Sequence, residues 1–532
     1  MSRAAGSSEP SPGPRTTDVG RAPDGEPFAA VMETHTSVVL LLGDRAYKIK
    51  KPVRLPFVDL STRALRVENC RREVELNRRI APDVYLGIDE LRAVEGDTGD
   101  DGEPVVVMRR MPTARRLSAL LSDPALHADA KRCVLDTARQ VAVFHAGLPA
   151  VQGYDLPGTM AALWWEGRDQ TTRFEAAVLD REALDETYSL AAEYLEGREG
   201  LLRARERSGL VRDGHGDLLT DDVYCLDDGA RVLDCLEFDA RLREGDALLD
   251  IAFLAMDLCL HGAPDLARKA VDRYRELDAE SHPRSLEHHY VGYRAWVRAK
   301  VECLRDEGGD PGARQRARAA LELSRSELRA GRVHLVLVGG LPGSGKSRLA
   351  EALVDADDRD WATLSSDEVR KELAGIPPTT SARAAFGEGI YDPAHTERTY
   401  AELMRRAAAA LDGGLCVALD ASLTDGSARS RAAELAAAHG AALTQVRCDA
   451  PAEVCVRRLA EREGTPHVSD AYLEVFTGLA QREAPWPEAL PVDTSGSVED
   501  AAARVLEALA DRPVAPRSGP MGLTDDPPST KR

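Results

Sequence analysis

Residues 334–350 read HLVLVGGLPGSGKSRLA. Four apolar residues, Leu335 to Val338, break into a glycine-rich turn, and the turn opens directly into a helical pattern with Leu349, Ala350, Leu353 and Val354 on one side. From Gly340 to Ser347 the spacing is G-x-x-x-x-G-K-S. In such a P-loop, here built on Gly340, Gly343, Ser344 and Gly345, backbone N–H groups curl around phosphate oxygens while the helix N-terminus adds partial positive charge. Lys346 would reach the β and γ phosphates and Ser347 would hold Mg2+. A strand before the loop and a helix after it supply the context that the motif requires. One part of this chain is thus expected to bind a nucleoside triphosphate, ATP, on an α/β frame.

The stretches that follow continue that frame. Residues 362–375 (ATLSSDEVRKELAG) predict a short strand and a helix starting near Ser366, with Asp367, Arg370 and Lys371 on one face. Residues 414–423 (GLCVALDASL) form a buried-strand run ending in Asp420, a carboxylate expected near Mg2+. Another strand at 444–451, a helix carrying Arg457, Arg458 and Arg462, the segment Ser469-Asp470-Ala471 and a last strand at 490–496 complete the β/α alternation of a doubly wound parallel sheet. Over 332–511 the chain resembles the P-loop kinases grouped with polynucleotide kinase, gluconate kinase and zeta toxins. The resemblance implies Asp367 as the base for an acceptor hydroxyl and Arg370 as an acceptor ligand. It implies Arg429 as the substrate arginine of the helix after the Asp420 strand. A lid would supply one of Arg457, Arg458 and Arg462 to the phosphates, with Arg458 carried here as the nucleotide contact.

Composition bounds the rest. At 532 residues the chain is too long for one core, and 43% hydrophobic content is ample for several. A net charge of −20 argues against broad contact with nucleic acid or an anionic membrane. The nine cysteines are scattered without C-x-x-C spacing and read as reduced core thiols of a cytoplasmic protein. No apolar run approaches a membrane span. Residues 1–26 and 512–532 are rich in Ser, Gly, Pro and charge and are expected to be flexible tails, with a charged helical connector at 311–331.

Toward the N-terminus, residues 37–52 (SVVLLLGDRAYKIKKP) predict a hairpin around Gly43-Asp44. A helix at 62–80 follows, with Leu65, Cys70, Val74, Leu76 and Ile80 as inward positions, and then a strand at 104–112. Residues 211–258 hold His215-Gly216-Asp217 in a loop, a short hairpin around Asp227-Asp228-Gly229, and Asp234 at the end of its second strand. A loop Asp, a hairpin and a second Asp are what phosphoryl transfer needs: one carboxylate for the acceptor proton, another for Mg2+.

On HGDL (215–218), on LDCLEFD around Asp234 and Glu237, and on the segment with Asp246 and Asp250, residues 27–310 resemble the aminoglycoside phosphotransferase family, which shares the protein-kinase fold. The resemblance implies that Asp217 is the catalytic base and Asp234 a metal ligand. It makes Lys48 the lysine on the α/β phosphates, with Lys50 on the same face as the alternative, Glu73 its partner and 107–111 the hinge. No glycine-rich loop precedes Lys48, so the segment 33–37, with His35, must cover the phosphates instead. One position departs: where the family has Asn as a second metal ligand this chain has Asp222. A carboxylate also binds Mg2+, at the cost of added negative charge.

The fold expected is therefore α+β then α/β: a bilobal protein-kinase-like domain, followed by a doubly wound P-loop domain. The function expected is an ATP- and Mg2+-dependent phosphotransferase acting on a small hydroxylated molecule. Two alternatives stay open: a kinase of nucleotides or polynucleotide ends in which only the P-loop domain is active, and an ATP-dependent switch without an acceptor. A basic face at Tyr290, Arg294 and Arg298 reads as a solvated or salt-bridged stripe, or as a contact for an anionic acceptor or the neighbouring domain.

Overall fold

The runs on either side of Gly43-Asp44 fold as the expected hairpin, β2 (Ser37–Leu42) against β3 (Arg45–Lys50), with Ser37 opposite Lys50. Gly43 takes the positive φ of 55° that closes the turn. The computed structural model describes residues 20–23, 25–34, 36–55, 58–92, 102–175, 177–277, 281–377, 389–461, 473–481 and 484–515. His35, Arg462, Ser469-Asp470-Ala471 and all but the inner ends of both tails lie outside the described residues. Contacts divide the chain into two compact units, Met1–Tyr154 with Gly209–Ser281, and Asp155–Ser208 with His282–Arg532.

In the first unit, β1 (Ala29–Glu33), β4 (Tyr85–Leu91) and β5 (Glu103–Arg109) join the hairpin in a five-stranded antiparallel sheet ordered β1-β2-β3-β5-β4. The helix Arg63–Arg78 starts at Thr62, whose side chain accepts from the backbone N–H of Leu65. It buries Cys70, Val74 and Leu76 as expected, but Leu65 stays 42% exposed while Asn69, Glu73 and Asn77 are buried. Polar reach, not apolar period, chose this face, because Glu73 and Asn77 meet partners on other elements. Below the sheet, β6 (Val211–Asp213) pairs with a strand later in the chain, β9 (Glu244–Asp246). Between them β7 (Val223–Leu226) and β8 (Gly229–Val232) make the hairpin expected from the sequence. The helix His127–Gly147 packs on β7 and β8, and the helices Leu248–Leu260 and Pro264–Leu277 pack on it and on each other.

Cys133 and Cys225 are joined by a disulfide with a Cα–Cα distance of 5.4 Å, which corrects the expectation of thiols throughout. The two sit on a helix and on β7, 92 residues apart, so only tertiary packing makes them neighbours.

In the second unit β10 (His334–Gly339), β11 (Trp361–Ser365), β12 (Cys416–Asp420), β13 (Ala442–Asp449) and β14 (Leu490–Asp493) form the all-parallel sheet the sequence predicts, ordered β11-β12-β10-β13-β14. Val336, Val338, Leu349, Leu353, Ala418, Val446 and Val505 form one core against it. Burial of each of its Val and Leu side chains stabilises by about 1.5–3 kcal/mol.

The same unit includes the helices Leu156–Thr171, Arg181–Gly197, Arg284–Glu307 and Ala313–Ala330. Trp164 stacks on Trp296 and Tyr194 on His289, and Gly292 admits Leu328. This helical platform meets the sheet at the N-terminal strand ends. A Cβ on Gly197 would lie 2.4 Å from the carbonyl oxygen of His439, and Arg198 donates to the carbonyls of His439 and Gly440. Within the platform Tyr290 and Arg294 are buried, so the stripe is not a solvated face, while Arg298 pairs with Glu302 at 3.4 Å as the salt-bridged reading expects. Among the described residues no helix is long and apolar enough to cross a membrane.

Candidate active sites

In the first unit β3 and the helix Arg63–Arg78 bring Lys48 and Glu73 together, Nζ to Oε1 at 2.8 Å. The same ammonium lies 2.6 Å from Oδ1 of Asp234. Glu73 is fully buried, and against the cost of that burial the charges of Lys48 and Lys50 hold its carboxyl below the usual range. Lys48 holds Asp234 low as well.

Asp234 sits past the end of β8 in the left-handed region, φ 64°, a conformation Asp tolerates better than most residues. Two side chains fix this turn. Asp234 donates its N–H to Tyr85 Oη at 3.1 Å, and Cys235 donates to Asn77 Oδ1 at 2.9 Å. Asn77 in turn donates to the carbonyl of Glu73 at 2.9 Å, which ties the turn to the helix of the lysine partner.

The loop carrying Asp217 hangs on Asp250. That carboxylate accepts from the N–H groups of His215 (2.6 Å) and Gly216 (2.9 Å) and contacts His145 Nε2 at 3.0 Å. His215 is buried, with Nε2 3.0 Å from the carbonyl of Leu233, one residue before Asp234. The Asp217 and Asp234 segments are therefore stitched together. Asp222 joins them: burial first, then the charges of Asp234 and Asp217, push its carboxyl well above the ordinary range. Lys48, Glu73, Asp217, Asp222 and Asp234, singled out from the sequence, converge at one place. Asn77, Tyr85, His145 and the part played by Asp250 were missed. Asn77 alone left a signal, four residues after Glu73 on the same helical face.

In the second unit the loop after β10 has positive φ at Gly340, Gly343 and Gly345 before the helix Lys346–Asp355. A Cβ on Gly343 would stand 2.5 Å from the carbonyl oxygen of Cys455, so glycine is required there for close approach as well as for conformation. Ser347 Oγ donates to Asp420 Oδ2 at 2.6 Å, and Lys346 Nζ rests on the carbonyl of Leu341 at 3.1 Å. Burial raises the Asp420 carboxyl, Lys346 and Ser347 oppose that, and Asp367 adds to it, so Asp367 belongs to the same electrostatic site. The register agrees: Ser365, two residues before Asp367, lies opposite Asp420.

Arg458 bridges the site's rim, donating to the carbonyls of Thr494 (2.8 Å) and Gly343 (3.4 Å). Thr494, unmarked in the sequence, donates to the carbonyl of Ser344 at 2.5 Å. Arg370 donates to Ile390 O (2.9 Å) and Thr396 Oγ1 (3.0 Å), its guanidinium 4.9 Å from the Tyr391 ring centre. Arg429 spans the carbonyls of Ala484 and Pro485 over the ring of Trp486.

Hard oxygen donors suit Mg2+, which with a nucleotide takes one or two carboxylates and draws its other ligands from phosphate and water. Asp222 with Asp234, and Ser347 with Asp420, match that chemistry. The crowding that raises Asp222 is what a divalent cation would relieve. Among the described residues no group of three or more His, Cys, Asp or Glu is arranged to hold a metal unaided.

Residues 335–485 match the family model described as an AAA domain. The choline/ethanolamine kinase family protein from Mesorhizobium loti is 13% identical in a structural match covering 57% of this chain and 93% of that one, with a TM-score of 0.34. The Mycobacterium tuberculosis APS kinase CysC, solved with AMPPNP and APS, is 22% identical over 34% of this chain and 98% of that one, with a TM-score of 0.25. The uncharacterized proteins Rv2004c of Mycobacterium tuberculosis and Mb2027c of Mycobacterium bovis are each 37% identical over 478 residues, 89% of this chain and 94% of theirs. With that identity over that length, the chain belongs to the family of the mycobacterial protein Rv2004c.

Proposed function

We propose that this chain is an ATP-dependent phosphotransferase that moves the γ-phosphate of ATP to a hydroxyl of a small molecule. The observation that supports it most directly is the Lys48–Glu73 pair at 2.8 Å, set against Asp234 and within the field of Asp217 and Asp222. A nucleotide-binding switch needs the lysine; it has no use for a further carboxylate beside the metal ligands. Transfer needs one, because an acceptor hydroxyl must lose its proton as it attacks.

In the first unit Lys48 would hold phosphate oxygens, Asp217 would orient the acceptor O–H and accept its proton, and Asp222 and Asp234 would hold Mg2+. In the second unit the P-loop N–H groups and Lys346 would cradle the phosphates, Asp367 would take the acceptor's proton, Arg458 would close on the nucleotide, and Ser347 and Asp420 would hold Mg2+. Bound Mg2+ supplies charge neutralisation on the phosphates. Arg370 and Arg429 are proposed on the acceptor side. As sequence regions the domains proposed are 27–310 and 332–511 with the connector 311–331 between, although residues 155–208 and 282–331 pack in one compact unit with the P-loop sheet; the compartment proposed is the cytoplasm.

Asp222 in place of Asn favours a second reading, in which extra negative charge leaves the first unit weak and the P-loop unit alone turns over. One experiment separates the two. The full chain is incubated with γ-labelled ATP and panels of sugars, polyols, aminoglycosides, nucleosides and oligonucleotide ends, alongside Asp217→Asn and Asp367→Asn. Each substitution is expected to abolish labelling of a different acceptor. Labelling that only Asp367→Asn removes supports the second reading, and no labelling with any panel overturns the proposal.

A further inference from the structure

Two lysines, not one, meet Glu73. Side chains alternate along a strand, so Lys48 and Lys50 leave the same face of β3. Each takes one oxygen of the carboxylate, Lys48 on Oε1 at 2.8 Å and Lys50 on Oε2 at 2.6 Å. Beyond Glu73 they diverge. Lys50, 2% exposed, goes inward to Glu237 Oε1 at 2.8 Å. Lys48 goes outward to Asp234 Oδ1 at 2.6 Å, and the Asp234 side chain is 49% exposed.

Resting on the phosphotransferase reading above, we propose that Lys48 is a placeholder on Asp234. Its ammonium occupies the metal's oxygen until nucleotide draws it away. Lys50 with Glu237 is the fixed positioning pair that keeps Glu73 compensated during the exchange.

The electrostatics require such a division. A carboxylate as buried as Glu73 cannot be stripped of its only cation without a large desolvation penalty. Were Lys48 its sole partner, each swing of Lys48 toward phosphates would strand it; Lys50 on the second oxygen removes that obstacle. An ammonium 2.6 Å from Asp234 Oδ1, conversely, repels a divalent cation on the same carboxylate. Metal without nucleotide must therefore compete with Lys48. Nucleotide that recruits Lys48 to its phosphates frees the oxygen, so the two ligands bind with positive and reciprocal coupling.

The test reads metal occupancy, not transfer. Free Mn2+ is followed by electron paramagnetic resonance in titrations of the full chain carrying Asp420→Asn, which takes the P-loop metal position out of the measurement. Lys48→Met is expected to tighten Mn2+ binding in the absence of nucleotide by about tenfold or more, as removal of an adjacent positive charge demands, and to abolish the further tightening caused by ADP. Lys50→Met is expected to change nucleotide-free Mn2+ affinity far less than Lys48→Met does, because its ammonium touches Glu73 and Glu237 and not Asp234. Should it fail to fold with Glu237 stranded, Lys50→Met/Glu237→Gln replaces it with the same expectation. Unchanged Mn2+ affinity in Lys48→Met, or equal tightening in the Lys50 variant, overturns the proposal. An acceptor screen that labels nothing overturns the phosphotransferase reading and leaves the Mn2+ result standing.

Discussion

Two loop N–H groups and the ring of His145 converge on the single carboxylate of Asp250, and the loop they hold is the one that carries Asp217. Burial works against this charge, but the hydrogen bond and charge of His145, then His215, keep the carboxyl well below its ordinary value of 3.8. A folded pKa below the unfolded one means stability that is complete above pH 3.8 and is lost as pH falls through the folded value. Asp250→Asn should therefore cost about 3–5 kcal/mol at neutral pH by breaking a buried network, and it should flatten the acid limb of stability. Urea titrations between pH 3 and 7 check both parts. Asp217→Asn has a different signature. If Asp217 is the base proposed above, the change keeps shape and removes proton transfer, so kcat for the acceptor of the first unit should fall about 10²–10⁴-fold with the KM for ATP unchanged. A rise in KM with little loss of kcat would assign Asp217 to binding instead.

Among the elements, the contact between the helix Arg181–Gly197 and the turn before β13 depends on two glycines facing each other. Gly440 has φ 50°, and a Cβ there would stand 2.5 Å from the carbonyl oxygen of Glu193. Gly440→Ala meets both the backbone penalty and that clash, and should destabilise the second unit by about 1–3 kcal/mol or more. A thermal melt read with ATP, the ligand proposed for the P-loop, present and absent tests this: the midpoint should drop in both, while any ATP-induced rise should persist, because the contact is at the strand ends opposite the glycine-rich loop. At the same scale the apolar period of residues 62–80 named a helix correctly but misjudged its buried face. Leu65 is outside while Glu73 and Asn77 are inside, because the ion pairs of Glu73 with Lys48 and Lys50 and the hydrogen bond from Cys235 to Asn77 outweigh one leucine's burial.

For the whole molecule, the platform helices Leu156–Thr171, Arg181–Gly197, Arg284–Glu307 and Ala313–Ala330 form one compact unit with the parallel sheet. A fragment of residues 332–532 would expose that junction, including the ion pair of Arg332 with Glu193 at 2.8 Å. Such a fragment should aggregate or melt well below the intact chain, and co-expression with 155–330 should rescue it; an isolated 332–532 as stable as the full chain would refute this.

The glycine spacing 340–347, the strand runs and the order of Asp217 and Asp234 were legible in the sequence, because short-range geometry fixes a phosphate loop, a hairpin and an alternating β/α chain. The convergence of residues far apart in sequence was not. The disulfide of Cys133 with Cys225, Asn77 on Cys235, Asp250 beneath the loop of Asp217, and the second lysine on Glu73 all join segments whose proximity no local period encodes. Local propensity determined which elements exist and which residues could do chemistry; only the packing of distant segments decided which buried charges meet.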